Sequence, residues 1–342
     1  MDTEVIIVGN GVSGLILSIL LKEKGVDHIV LHRKATQKIF ELPETIPPST
    51  LVLLESLNLL ELFKKSSSKT FGYHSLWNSD ALSTDHFFNH NPYKYGLKLN
   101  KKKLIYDLGQ LASNHMVSFN NIIKIEQTDT NVNIQLNSNH NVQTIDGKIL
   151  IDATGRSRSI IKYFGATSKS YDSQIALSCH LPYFKHPRLT HSVFVESFDY
   201  GWGIVSSISN KINVMTLYTQ KASPLLPHLK EYKNWKQILS TTRILKDFIF
   251  DEIDPKLVGG FANSSKASRI SGPNWLAIGD AAIAFDPLSS HGVSNAIYSA
   301  SLASNTIKSY LTNDVVAPFI NYEKTLIQIY DQYLKQKLNY EN

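Results

Sequence analysis

Cysteine is nearly absent from this chain of 342 residues: Cys179 stands alone. One thiol builds no internal disulfide framework and no cysteine-based zinc or iron–sulfur site, and Cys179 reads as a buried structural thiol. No other pattern suggests a metal. Glycine is sparse as well, 17 in all, which excludes collagen-like and linker-rich architectures. Long apolar runs are missing. The most apolar early stretch, Val12 to Leu21, is broken by Ser13, Gly14 and Ser18, and a spanning helix needs roughly 20 residues. The start carries no basic leader and enters a strand at Glu4, so a cytoplasmic setting without a membrane partner is expected. Charged residues make up only 19%, too few for a disordered chain at 42% hydrophobic content. The net charge of +6 gathers at Lys101-Lys102-Lys103 and around Lys64, Lys65 and Lys69. These clusters read first as a solvated face, and otherwise as a surface for an anionic cofactor or an acidic partner protein. Interleaved aromatics are lacking, which argues against nucleic acid.

What is present begins with a βαβ unit. Glu4 to Val8 is a short β-branched run, read as a buried strand, and Gly9-Asn10-Gly11-Val12-Ser13-Gly14 follows at once. Leu15 to Lys24 places apolar side chains at helical spacing and ends at Gly25, a C-cap residue; Asp27 to Leu31 reads as the next strand. Further helices are expected over Ser49 to Leu57, Leu104 to Ala112 and from Gly292 onward. Strands are expected between Val117 and Asp152, across Asp172 to Ala222, and at Trp275 to Ile278.

In a G-x-G-x-x-G turn, Gly9 permits the tight turn, Gly11 lets backbone approach a pyrophosphate, and Gly14 lets the helix pack on the sheet. The free N–H groups at the helix start, Val12 and Ser13 among them, suit a diphosphate. An acidic residue is expected at the end of the second strand to hold a ribose. His32 and Arg33 stand there instead. Imidazole cannot accept from two hydroxyls as a carboxylate does, and the loss of about 1–3 kcal/mol predicts weak cofactor binding. Near the other end, Ile278-Gly279-Asp280 projects a carboxylate at the end of a strand. After Pro287 a helix start near Gly292 offers positive potential to an anionic ring.

Three motifs in order, G-x-G-x-x-G, Asp152-Ala153-Thr154-Gly155-Arg156, and Gly279-Asp280-Ala281-Ala282 leading to Asp286-Pro287, resemble the para-hydroxybenzoate-hydroxylase-like FAD-dependent monooxygenases along essentially the whole chain. Two more segments narrow the resemblance. Glu44-Thr45-Ile46-Pro47-Pro48-Ser49 with Leu53-Leu54, and Trp77 followed by Asn91-Pro92 and Tyr95 to Lys101, are similar to flavin-dependent tryptophan halogenases. They are closer still to the flavoprotein maturation factors of cysteine tryptophylquinone amine oxidases. The chain's length favours the maturation factors.

The resemblance implies an α/β fold: a Rossmann-like FAD-binding domain (1–75, 95–165, 255–310), an inserted antiparallel substrate or partner domain (76–94, 166–254), and a C-terminal helix (311–342). It implies FAD held by Gly9, Gly11, Val12, Ser13, Gly14, His32, Arg33, Pro48, Lys101, Asp152, Gly155, Asp280, Pro287, Gly292 and Val293. Asp280 would hold the ribityl chain, Pro287 would sit beside the reactive flavin edge, and the backbone after His291 would face the pyrimidine oxygen. Lys101 stands where the family has arginine and lacks its planar fork, a second reason to expect weak FAD binding.

The reaction implied is hydroxylation, with an external reductant and O₂, of a tryptophan in a precursor amino-acid oxidase. Pro287, His291 and Glu44 are the candidate catalytic positions. His291 is either a polar contact at the flavin edge or a helix cap. Glu44 either overhangs the active site or caps the helix at Ser49. Trp202 either lines the pocket or belongs to the core. Hydroxylation of a free aromatic metabolite, halogenation, isoprenoid reduction, and a degenerate flavoprotein acting as a binding chaperone stand as alternatives. A halogenase would carry a W-x-W-x-I-P element, which Tyr200 to Val205 does not supply, and Lys69 is a weak match for its reactive lysine.

Overall fold

Val5, Ile6, Ile7 and Val8 are apolar on both faces of a strand, a pattern that belongs inside a parallel sheet covered on both sides. The computed structural model describes residues 1–33, 40–78, 81–138, 141–184, 186, 192–209, 212–313 and 317–341. In it the strand Asp2–Val8 lies between Asn141–Asp152 and His28–Arg33, parallel to both. Trp275–Ala277 continues the parallel layer on one side and Met116–Phe119 on the other. An antiparallel pair, Asn121–Gln127 with Val132–Ser138, extends it from the strand Asn141–Asp152. The helices Val12–Glu23 and Gly292–Asn313 pack against each other. Every parallel strand ends toward the same edge, where open α/β sheets bind ligands.

A second sheet has seven strands, in the order Val258–Phe261, Gln174–Pro182, Ile212–Gln220, Gly201–Ser209, Ser192–Phe198, Gly72–Leu76, Ser83–His86. Only the pairing of Ser192–Phe198 with Gly72–Leu76 is parallel. Side chains alternate faces with the two-residue period of a strand. Leu177, Cys179, Phe194, Met215 and Leu217 pack beneath a helical cap through Leu229, Trp235, Leu245 and Phe248. Val193, Val195, Trp202 and Tyr218 cluster on the opposite face. Buried Glu196 fastens the cap: its Oε2 accepts from the backbone N–H groups of Ile244 (3.1 Å) and Leu245 (3.0 Å). Burial pushes the Cys179 thiol up to about 12.

The architecture is therefore the expected one, a Rossmann-like layer with a largely antiparallel sheet and a helical C-terminus. The sheet is wider than the expected boundaries. Its strands Gly72–Leu76 and Val258–Phe261 come from segments assigned to the nucleotide-binding layer, because they pair with Ser192–Phe198 and Gln174–Pro182. The helix expected from Leu104 begins at Lys101, since the Asn100 side chain accepts from Lys103 N at 3.0 Å and caps it. Two helices, Gly292–Asn313 and Ala317–Glu341, close the chain; residues 314–316 and 342 of the expected terminal segment lie outside the described residues. Among the described residues no helix is long and apolar enough to cross a membrane.

Candidate active site

The glycine turn is dictated by close approach. Gly9 has φ +119°, and a Cβ there would lie 2.3 Å from the Ala153 carbonyl oxygen. A Cβ on Gly14 would lie 2.1 Å from the Gly9 oxygen. Around Gly11, by contrast, a Cβ would meet nothing within 4 Å. The helix Val12–Glu23 has no side-chain cap, and its first backbone bond is Leu15 N to Gly11 O at 3.0 Å. The N–H groups of its first turn therefore lack intrahelical acceptors. Gly9 to Ser13 line a cavity of about 780 Å³ that separates the two sheets.

One wall of this cavity is charged. Arg156 Nε lies 3.5 Å from Asp280 Oδ2, and Arg156 also donates to the Phe285 carbonyl at 2.6 Å. Burial pushes the Asp280 carboxyl up, against the pull of Arg156 and Lys101. Lys101 forms an ion pair with Glu44, which holds its ammonium above the usual lysine range. Pro287, Gly292 and Val293 complete this wall where the start of the helix Gly292–Asn313 opens on the cavity. The opposite wall is the sheet face bearing Tyr73, Val193, Ile204, Ser206, Thr216 and Tyr218. Burial pushes the Tyr73 phenol up to about 12, with the nearby Ser290 side chain pulling the other way, and its buried oxygen makes no hydrogen bond of good geometry.

The structure brings Gly9, Gly11, Val12, Ser13, Glu44, Lys101, Gly155, Asp280, Pro287, Gly292 and Val293 around one cavity, with Gly14 one residue behind the turn. Other expected residues are not on its lining. Asp152 is fully buried, and its carboxylate is consumed by its own loop. It accepts from Thr154 N (2.9 Å), Thr154 Oγ1 (2.6 Å) and the N–H groups of Ile160 and Ile161 (3.0 Å each). Pro48 is buried at the first turn of Pro48–Ser56. That helix has no side-chain cap, so Glu44 does not cap it. His32 and Arg33 end their strand away from the lining, with His32 Nδ1 3.4 Å from the Arg33 carbonyl and Arg33 over the Phe119 ring. The His291 side chain is exposed, its ring 5.5 Å from that of Phe285. Trp202 is a core residue, stacked at 3.9 Å behind Tyr218. Lys69 lies 4.2 Å over the Tyr95 ring.

Sequence reasoning missed Arg158 and quoted Asp286 in a motif without giving it a role. Arg158 is buried in a left-handed conformation and donates to the carbonyls of Ala281 (3.0 Å) and Ser265 (3.1 Å), tying the Asp152 loop to the Gly279–Ala281 turn. Asp286 accepts from Ser289 N at 3.0 Å and from the Tyr333 hydroxyl at 2.6 Å, with Lys337 Nζ 3.1 Å away. Arg158 stood two places beyond a motif and could have been found there; the partners of Asp286 sit in the last helix, out of reach of any local pattern. Among the described residues no group of three or more His, Cys, Asp or Glu could hold a metal ion.

Comparison with known proteins accords with this geometry. The chain is 26% identical over 219 residues to the putative FAD-dependent oxidoreductase LodB of Marinomonas mediterranea, a match covering 62% of this chain and 57% of that relative, little more than half its length. Its fold is similar to a flavoprotein/dehydrogenase from Cytophaga hutchinsonii (TM-score 0.83, 16% identity, 98% of this chain and 85% of that one). It is also similar to the flavin-dependent halogenase CmlS (0.84, 20%, 97% and 63%). A third similar fold is that of the peptidyl tryptophan dihydroxylase QhpG, essential for tryptophylquinone cofactor biogenesis (0.74, 16%, 99% and 75%). The profile of the FAD-binding domain family matches residues 2–313, and the chain belongs to that family.

Proposed function

We propose that this protein is an FAD-dependent monooxygenase that hydroxylates a tryptophan side chain of a precursor oxidase on the way to a tryptophylquinone cofactor. The observation that carries the reading is the single cavity, which joins a charged cradle with uncapped helix N–H groups to a neutral, aromatic-rimmed sheet face. The description of QhpG as a peptidyl tryptophan dihydroxylase favours the same chemistry and a protein substrate, and the name of LodB favours FAD-dependent oxidoreduction.

The residues present fit FAD. The open space at Gly11 and the uncapped first turn suit its diphosphate, the Asp280 oxygen not facing Arg156 can accept from ribityl hydroxyls, and the backbone of Gly292 and Val293 suits the anionic end of its ring. Bound FAD, reduced by an external donor, would supply the activation of O₂ and the delivery of one oxygen atom to an electron-rich ring. The chain's own part is to hold and shield. Arg156 and Lys101 keep Asp280 oriented as an acceptor, Asp286 fixes the Pro287 turn, and Val193, Ile204 and Tyr218 exclude water from the reacting ring.

The test is to incubate the protein with FAD, a reductant and ¹⁸O₂ together with the precursor of a tryptophylquinone amine oxidase. Incorporation of one or two labelled oxygen atoms at a tryptophan is expected. Flavin turnover that leaves the precursor unlabelled while a free aromatic compound is hydroxylated would overturn the reading.

A further inference from the structure

The sheet wall of the cavity is ordered in rows. Tyr73 stands opposite Val193, and Ser206 opposite Val214. The register Phe194↔Val205, carried one residue further, sets Val193 beside Ser206. Tyr73, Val193 and Ser206 thus form one row across three adjacent strands, each about 5 Å from the next. The following row holds Val195, Ile204, Thr216 and Ser178. Two hydroxyls of that row satisfy each other, Ser178 to Thr216 at 2.8 Å. The Tyr73 and Ser206 hydroxyls do not. Both oxygens are buried without a hydrogen-bond partner, both residues line the cavity, and Ser206 is only 2% exposed. Buried polar groups are nearly always paired, so two orphans on one row mark a place where a ligand supplies the bonds.

Charge is divided between the walls. The charged side chains among the described lining residues, Glu44, Lys101, Arg156, Asp280 and Asp286, all belong to the cradle wall. They are already engaged: Glu44 with Lys101, Arg156 with Asp280, and Asp286 with Tyr333. The sheet wall offers hydroxyls and apolar side chains. A carboxylate or ammonium brought against it would be desolvated without a counter-ion, far costlier than the same burial of an amide.

We propose that Tyr73 and Ser206 are the polar anchors of the substrate, and that they hold an uncharged, amide-linked aromatic residue, an indole within a polypeptide, and discriminate against free amino acids and aromatic acids. The indole N–H donates to one hydroxyl, the neighbouring peptide carbonyl accepts from the other, and Val193 lies between them under the ring. The assignment rests on the hydroxylase reading and narrows it to substrates without free charge near the ring.

Calorimetric titration of the FAD-loaded protein tests it with two matched pairs: N-acetyl-tryptophanamide against L-tryptophan, and indole-3-acetamide against indole-3-acetate. The neutral member of each pair is expected to bind at least about tenfold more tightly. Tyr73→Phe and Ser206→Ala are each expected to weaken the neutral ligands about five- to tenfold while leaving FAD affinity unchanged. Equal or tighter binding of the charged members, or unchanged affinity in both variants, would overturn the assignment. The two proposals separate cleanly. Neutral binding that depends on Tyr73 and Ser206, with no labelled oxygen in the precursor, removes the hydroxylase reading and keeps the anchors. Undiminished labelling by the double variant removes the anchors and keeps the reading.

Discussion

His32 ends its strand as a half-buried imidazole close to the Arg33 carbonyl, where a carboxylate would accept from both hydroxyls of a ribose. His32→Glu is therefore expected to tighten FAD binding about tenfold in a fluorescence titration, the equivalent of one charge-assisted hydrogen bond; unchanged or weaker binding would show that the ribose is held elsewhere. A second histidine links stability to pH. Buried His28 bonds through Nε2 to the Ser18 hydroxyl (2.8 Å) and through Nδ1 to the Val26 carbonyl (2.9 Å), and it stacks on His115. Burial lowers its pKa below the ordinary 6.5, with His115 and Lys22 adding to the effect and the Val26 carbonyl and Asp27 opposing it. The folded state favours neutral imidazole, so the unfolded chain takes up the proton first as pH falls. The stabilisation is complete above about pH 6.5 and is lost as pH drops through the lower folded-state value. Urea midpoints should fall between pH 7.5 and 5 by more in the wild type than in His28→Gln; equal falls would assign the pH dependence to other groups.

The helix Ala317–Glu341 does its work at long range. Lys337 reaches Asp172, the Ser264 hydroxyl (2.9 Å) and Asp286 (3.1 Å), and the Tyr333 hydroxyl bonds Asp286. Burial pulls the Lys337 ammonium down, but Asp172 and Asp286 outweigh it and hold it above the usual lysine range. Lys337→Met would leave two buried carboxylates without their cation, a loss of about 3–5 kcal/mol. It would also free the Asp286-Pro287 turn that lines the cavity. Lower thermal stability together with weaker FAD binding is the expected pair of results; lost stability with unchanged FAD affinity would mean the turn holds its shape without the helix. The contrast with the first βαβ unit explains what could be read beforehand. Gly9, Gly11 and Gly14 act on atoms a few residues away, so spacing alone specifies them. Asp152 misled for the same reason: its motif pointed to the cofactor, while its carboxylate closes on Thr154, Ile160 and Ile161. The hold of Lys337 on Asp286 spans most of the last two helices and leaves no trace in local spacing.

At the scale of the whole molecule the net charge of +6 invites the thought of an acidic partner steered by lysine clusters. The pairing of those lysines argues otherwise. Lys101 is bound to Glu44, Lys102 lies 3.7 Å from Glu41, Lys103 lies 2.9 Å from Asp107, and Lys64 lies 2.7 Å from Glu61. Lys69 is turned onto the Tyr95 ring. The Lys101 to Lys103 cluster is thus largely neutralised within the chain, and in the other cluster Lys64 is paired. Surface charge exerts a field that is screened beyond about 10 Å at 0.1 M salt. The neutral sheet wall leads in the same direction, since recognition there rests on apolar contact and hydroxyls. Association with the proposed precursor oxidase should accordingly depend little on salt: raising it from 50 to 300 mM is expected to change the dissociation constant by less than about threefold, because the Lys101 to Lys103 patch is already paired within the chain. Surface plasmon resonance over that range decides the matter. A steep fall in the association rate with salt would show that the lysine clusters exchange their internal carboxylates for those of the partner, and would make Lys101 to Lys103 the docking surface.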